Sequence, residues 1–361
     1  MATNSVVEGK FREAIKHVLQ PPVESKFLII DRRNPDFNSG RLAYTAFEAA
    51  QNLGLDANMI ELTAKKPYAT FPSRVKKAIT SGIYPRAMGF FCYPEETDMQ
   101  QKETPARVEL VHGFIKHAYM GYLHAPGMTW DMASHGAVQC DYEKMAKRAE
   151  KMLQKLNGVK TVSIVAPAGT DINVELPTEV KFETDCICVP PDAYGNPGKI
   201  CNLPIGEAEA LRRIRKSLAG EEVEYPVKLI GNGKLVCDVC ADGIDKLIEP
   251  DKPIEISFRN GVVERFHTTD DTFQALPKEW VEREAKYGLK PILEEVAFGL
   301  NDKAREVKEL LEAEKKLGTI HAAVGHVKSH SDFVVRKPTV NLTYTNGNQE
   351  LLIKDGELKL D

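Results

Sequence analysis

The sequence predicts a mixed α/β protein in two parts: an α/β domain with a largely parallel sheet over residues 1–125, and a strand-rich α+β domain over 126–361. Three observations predict this. The first part alternates short apolar runs with amphipathic helical stretches, as a parallel sheet with crossover helices requires. Beyond residue 150, strand-like segments follow one another with turn signals between them. A length of 361 residues suggests roughly two domains at about 100–200 residues each.

In chain order, Phe11, Ile15, Val18 and Leu19 recur at helical spacing before the apolar run 27–30, a strand ending at Asp31. Residues 41–53 form an amphipathic helix stopped by Gly54, and 58–62 form a strand. After Pro72 a helix covers 75–79, and 88–92 is a compact apolar strand. Thr104 caps a further helix with Pro105 in its first turn. Strand 27–30 is followed by Asp31-Arg32-Arg33-Asn34-Pro35 rather than a glycine-rich turn, so no dinucleotide site is expected.

In the second part, 141–156 is a charged amphipathic helix. Strands 161–166 and 171–176 are joined by the turn Pro167-Ala168-Gly169. Further strands fall at 229–239, 254–258, 261–266 and 333–342, with helices at 277–287 and 302–317. Gly231-x-Gly233 and Asn346-Gly347 read as hairpin turns.

Composition narrows the partners. Lys plus Arg number 48 against 52 Asp plus Glu, a net charge of −4, which offers no counterion-release drive for nucleic acid and no cationic membrane face. No apolar run reaches the ~18–20 residues of a membrane span. The first residues lack an apolar signal core, so the cytoplasm is the expected compartment. Seven cysteines, an odd number, suit reduced thiols better than a disulfide framework.

Chemistry concentrates late in the chain. His330 and Asp332 are two apart, so on a strand both face one side. Imidazole and carboxylate are ligands for zinc, cobalt, manganese or iron, and His321 offers a third donor. Glu207 follows the Asn202-Leu203-Pro204-Ile205-Gly206 turn, and Glu295 enters the apolar stretch Val296-Ala297-Phe298-Gly299 with Glu294 competing beside it. Such a charge is costly to bury unless paired or ligated.

Other groups read as structural. Cys186-x-Cys188 and Cys237-x-x-Cys240 lie in apolar, strand-like contexts and read as core thiols rather than a zinc site. His112, His117 and His124 do not share a helix face. Lys308, Lys315 and Lys316 with Glu306, Glu309 and Glu312 read as a solvent-facing helix surface, as do Arg212, Arg213, Arg215 and Lys216.

Seven segments together resemble the aminopeptidase T family of metallopeptidases, over roughly residues 120–361. They are Leu123-His124-Ala125-Pro126-Gly127-Met128-Thr129, Asp141-Tyr142-Glu143, Val165-Ala166-Pro167-Ala168-Gly169-Thr170-Asp171, the Asn202 to Glu207 element, Glu295-Val296-Ala297-Phe298-Gly299, Leu317-Gly318-Thr319-Ile320-His321 and His330-Ser331-Asp332-Phe333. The resemblance implies two divalent metal ions (zinc, cobalt or manganese) held by Glu207, Glu295, His321, His330 and Asp332. It also implies a homodimer acting on short peptides. The family carries a tyrosine seven residues after its first histidine, where this chain has Lys328. The same superfamily contains 2,5-dihydroxypyridine dioxygenases. For that chemistry one Fe(II) would need His321, His330 and Asp332. A metal-binding protein without peptidase activity is the third alternative.

Overall fold

In a computed structural model the described residues are 4–21, 26–33, 39–63, 68–80, 88–92, 122–188, 200–242, 246–327 and 329–360. The helix expected at Thr104, together with His112, His117 and Lys328, lies outside them. The chain divides into two compact units. One holds Met1–Lys147 and Asp185–Ile205, the other Arg148–Thr184 and Gly206–Asp361.

The first unit contains five parallel strands in the order β2-β1-β3-β4-β8: β1 Lys26–Arg33, β2 Asp56–Thr63, β3 Met88–Cys92, β4 Tyr122–Ala125 and β8 Ile200–Asn202. Phe27, Leu28, Ile29 and Ile30 are all buried, which is why β1 reads as an unbroken apolar run. The helix Ser39–Asn52 buries the stripe Leu42, Ala43, Ala46, Ala49 and Ala50. Strand β8 pairs with β4, so residues 185–205 return to this unit long after residue 125.

The second unit contains a 13-stranded sheet. Its main path runs β17-β16-β15-β14-β13-β12-β6-β5-β18-β19-β20. In chain order these are β5 Val159–Val165, β6 Asp171–Glu175, β12 Ile230–Cys237, β13 Ile254–Arg259, β14 Val262–His267, β15 Ile292–Gly299, β16 Ile320–Gly325, β17 His330–Val335, β18 Thr339–Tyr344, β19 Gln349–Lys354 and β20 Glu357–Leu358. Strand β9 Glu207–Leu211 pairs with β15 and with β7 Glu183–Thr184. Strands β10 Arg213–Leu218 and β11 Glu221–Pro226 form a separate hairpin. Among the described residues no helix is long and apolar enough to cross a membrane.

Four expectations change. Residues 333–342 form parts of two strands, β17 and β18, separated by a turn in which Lys337 has φ 48°. Gly231 and Gly233 lie inside β12 rather than in a turn. They are small because a Cβ at Gly233 would stand 2.3 Å from Asp171 O, and one at Gly231 would stand 2.6 Å from Leu293. The run Arg213–Leu218 is a strand, not a helix face, because its residues pair with Glu221–Pro226. The helix expected over 302–317 shrinks to Leu310–Ala313.

That last segment is fixed by tertiary bonds instead of a helical ladder. Asn301 N donates to Lys315 O and Leu317 N donates to Asn301 O. Glu312 is buried and accepts from Arg305 Nε at 2.8 Å and Nη2 at 2.9 Å. Lys315 is buried too, so Glu312 and Lys315 do not belong to a solvent face, whereas Lys308 is exposed. Gly299 lets this segment approach, since a Cβ there would stand 1.9 Å from Lys316 O. Replacing Gly299 by Ala is expected to destabilise the protein by about 2 kcal/mol or more through overpacking. Chemical denaturation of G299A measures this, and an unchanged midpoint would contradict the tight approach.

Candidate metal centre

Four neighbouring antiparallel strands, β9, β15, β16 and β17, build the site inside the second unit. Register decides which residues share a face. Glu295 lies opposite Ala323, which lies opposite Asp332. His321 lies opposite Ala297, His330 opposite Gly325, and Glu207 opposite Gly299. Residues opposite one another, and those two apart on a strand, point to one side. Glu207, Glu295, His321, His330 and Asp332 therefore share one face. Ala297 and Ala323 put only methyl groups between them, while the space beside Gly299 and Gly325 is taken by the backbone oxygens of Lys316 and Ser329.

All five predicted residues converge. His321 Nε2 is 3.4 Å from Glu207 Oε2 and 3.3 Å from Glu295 Oε1. His330 Nε2 is 3.2 Å from Asp332 Oδ2 and 3.7 Å from Glu295 Oε2. Three sets of donors have ligand atoms within 4.8 Å of one another: Glu207–Glu295–His321, Glu295–His330–Asp332 and Glu314–His321–Asp332. The first two share Glu295. The donors are buried, His330 excepted at an intermediate exposure. Asp332 Oδ1 and His321 Nδ1 are buried atoms with no hydrogen-bond partner. Carboxylate and imidazole donors with unsatisfied buried atoms fit a divalent cation.

The charges of this cluster hold its protons in unusual places. Burial alone would lower the His321 pKa, but the hydrogen bond to Glu295 and the charges of Glu314, Glu207 and Asp332 raise it to about 10. His330 is likewise raised well above the ordinary histidine value, since Asp332 and Glu294 outweigh its burial. Burial would raise Asp332, yet the His330 charge and hydrogen bond, with His321 and Lys315, bring it down to about 2. Glu314 is pushed up to about 7, chiefly by burial, although Lys315 pulls it down.

Three participants fall outside the five predicted donors, Glu294 among them as the competitor of Glu295. Glu294 is buried and stands 2.6 Å from His330 Nδ1 through Oε1, while its Oε2 accepts from Arg213 Nη2 at 2.6 Å. Alternation would send Glu294 and Glu295 to opposite faces. A β-bulge, seen as a register shift between Leu293 and Glu295, brings both carboxylates to the same imidazole. A Cβ at Gly325 would lie 2.2 Å from the backbone oxygen of Ser329 and 2.5 Å from Glu294 Oε1, so a glycine is needed there. Glu294 orients the ring, so that Nδ1 faces this carboxylate and Nε2 faces Asp332 and Glu295.

Glu314 and Lys315 are the other two. Lys315 Nζ contacts Glu207 Oε1 and lies 2.8 Å from Glu314 Oε1. No local signal separates this Glu-Lys pair from an exposed one, because its burial comes from the Asn301 bonds.

Outer contacts hold the β16–β17 connection. Buried Glu284 accepts from Val327 N and Ser329 Oγ, both at 3.2 Å, and Trp280 Nε1 donates to Ser331 Oγ. His326 packs edge-on against Tyr225 at 4.6 Å. Its pKa is lowered to about 4 by burial, despite Glu294, with Arg213 and Lys216 adding to the fall. Among the described residues, no such donor set includes a cysteine. Cys186, Cys188, Cys237 and Cys240 are buried and not joined in disulfides.

No protein-family model matches the chain, and no curated protein matches it. Solved structures do match it, two of them over nearly the whole chain. A 2,5-dihydroxypyridine dioxygenase from Pseudomonas putida KT2440 is 14% identical with TM-score 0.64, covering 99% of this chain and 98% of that one. Wild-type AmpT from Thermus thermophilus, an aminopeptidase T, is 12% identical with TM-score 0.65, covering 98% of this chain and 99% of that one. The likeness extends over essentially the whole chain and is a likeness of fold.

Two predictions follow from the geometry. With the His321 pKa raised to about 10, metal binding at pH 8 is expected to release protons. Calorimetric zinc titrations in buffers of different ionisation enthalpy detect this, and a buffer-independent enthalpy would contradict it. Glu294→Gln removes the charge that orients His330 and is expected to weaken metal affinity about 10–100-fold. Competition against a chromophoric chelator measures the loss, and unchanged affinity would exclude the orienting role.

Proposed function

We propose that this chain is a metal-dependent, aminopeptidase-like hydrolase that releases N-terminal residues from short peptides with a metal-activated water. The observation that carries the reading is the pair of donor nests sharing Glu295: Glu207–Glu295–His321 and Glu295–His330–Asp332. They offer two adjacent cation positions lined mostly by carboxylates. A bound ion would lower the pKa of its water towards neutrality and polarise the scissile carbonyl.

The chain's own residues do the rest. Glu294 holds the His330 ring. Ala297 and Ala323 add only a methyl group each to the face between the donors. The surplus carboxylates suit the free ammonium of a peptide N-terminus, which would account for action at that end. Zinc, cobalt or manganese suits such an oxygen-rich and nitrogen-containing set.

One observation favours a second reading, a ring-cleaving dioxygenase with a single ferrous ion. Asp332 is grouped with both histidines, once with His330 and once with His321. Two histidines and one carboxylate are what such an iron needs. The two readings part on substrate. After chelation and reloading with zinc, cobalt or manganese, the hydrolase is expected to release free amino acids from di- and tripeptides and to spare N-acetylated ones. Failure to cleave any member of a broad panel, together with oxygen uptake on 2,5-dihydroxypyridine after anaerobic ferrous loading, would overturn the hydrolase in favour of the oxygenase.

A further inference from the structure

Lys315 has no part in the reading above, yet its ammonium lies inside the cluster. Its side chain is fully buried. Nζ contacts Oε1 of Glu207 and stands 2.8 Å from Oε1 of Glu314. The other oxygen of Glu207 faces His321 at 3.4 Å. Glu207 is thus shared between a fixed cation and the first donor nest.

The lysine is also anchored. Its carbonyl accepts from Asn301 N at 2.8 Å, Leu317 N donates to Asn301 O at 2.9 Å, and Asn301 pairs with Lys316 in a parallel bridge. Gly206 and Gly299 admit this segment closely: a Cβ at Gly206 would meet Asn301 Cβ at 2.6 Å, and one at Gly299 would meet Lys316 O at 1.9 Å. The backbone therefore leaves the side chain little scope to withdraw to solvent. A divalent ion on Glu207 would sit within a few ångströms of this ammonium, and like charges that close repel strongly in a buried site. Glu207 and Glu314, the two carboxylates that Lys315 contacts, belong to the first and third donor sets, whereas the Glu295–His330–Asp332 set contains neither.

We propose that Lys315 is a built-in cation that takes the place of one metal ion, so that the centre holds a single divalent ion in the Glu295–His330–Asp332 nest while the ammonium neutralises Glu207. The proposal rests on the reading of this cluster as a metal centre, and it specifies the number and place of the ions.

The test is metal stoichiometry and spectroscopy on the full chain. Wild-type protein, stripped and reloaded with Mn(II), binds one ion per chain and gives the electron paramagnetic resonance spectrum of an isolated ion. Lys315→Met leaves Glu207 and Glu314 without their cation; it takes up a second ion and shows an exchange-coupled pair. Glu207→Gln keeps the single ion, whereas Asp332→Asn binds it more than tenfold more weakly.

Two coupled ions in the wild type would overturn the proposal, as would a Lys315→Met protein that stays at one ion with a wild-type circular dichroism spectrum. If Lys315→Met does not fold, the wild-type count and the Glu207→Gln result decide alone, and loss of the ion in Glu207→Gln would overturn the proposal. Binding of no ion by the wild type would overturn the metal-centre reading itself, and is distinct from the two-ion result that removes only the proposal.

Discussion

Buried negative charge on one face of the second unit's sheet is the constraint around which this part of the protein is arranged. Glu207, Glu294, Glu295, Glu312, Glu314 and Asp332 are all buried. A buried carboxylate is tolerated only when paired, hydrogen-bonded or ligated. Each has its answer in the surrounding strands and segments. Arg305 meets Glu312, and Arg213 meets Glu294. Lys315 meets Glu207 and Glu314, while the two imidazoles take up the proximity of Glu295 and Asp332. The strongly raised His321 and lowered Asp332 pKa values express the same condition, a site organised to hold positive charge.

Geometry meets that constraint through departures from regular structure. A uniform strand would have placed Glu294 away from Glu295. The bulge after Leu293 turns it inward, where it grips the far nitrogen of His330. Residues 300–317 follow an irregular path fixed by Asn301, and that path delivers Glu314 and Lys315 to the face. Glu284 and Trp280, one turn apart on the helix Leu276–Glu284, secure the approach to β17. Removing either of these supports would leave the ligating residue types present and their orientation unfixed.

The fold is shared with a 2,5-dihydroxypyridine dioxygenase and with AmpT. Fold likeness at 12–14% identity does not choose between them. The choice rests on which residues occupy the face and how many cations they hold. On this chain both considerations meet at Glu207, whose carboxylate is divided between His321 and Lys315.

Much of this was legible along the chain. Strand β3 falls where its apolar run ends, Met88 to Cys92, and the β5–β6 hairpin turns at Pro167-Ala168-Gly169 as its residues dictate. The five donors are recognisable by type and order, and the two-residue spacing of His330 and Asp332 already fixes their common face. The sequence could not disclose the bulge that recruits Glu294, because a bulge is a mismatch between two strands and belongs to neither alone. Nor could it disclose the burial of Lys315: its neighbours carry the charge spacing of an exposed helix, and only contacts to Asn301, a residue distant in sequence, turn it inward. Local pattern determines which face of a strand a side chain takes. What stands beside that side chain, and with what charge, is set by pairing between segments far apart in the chain.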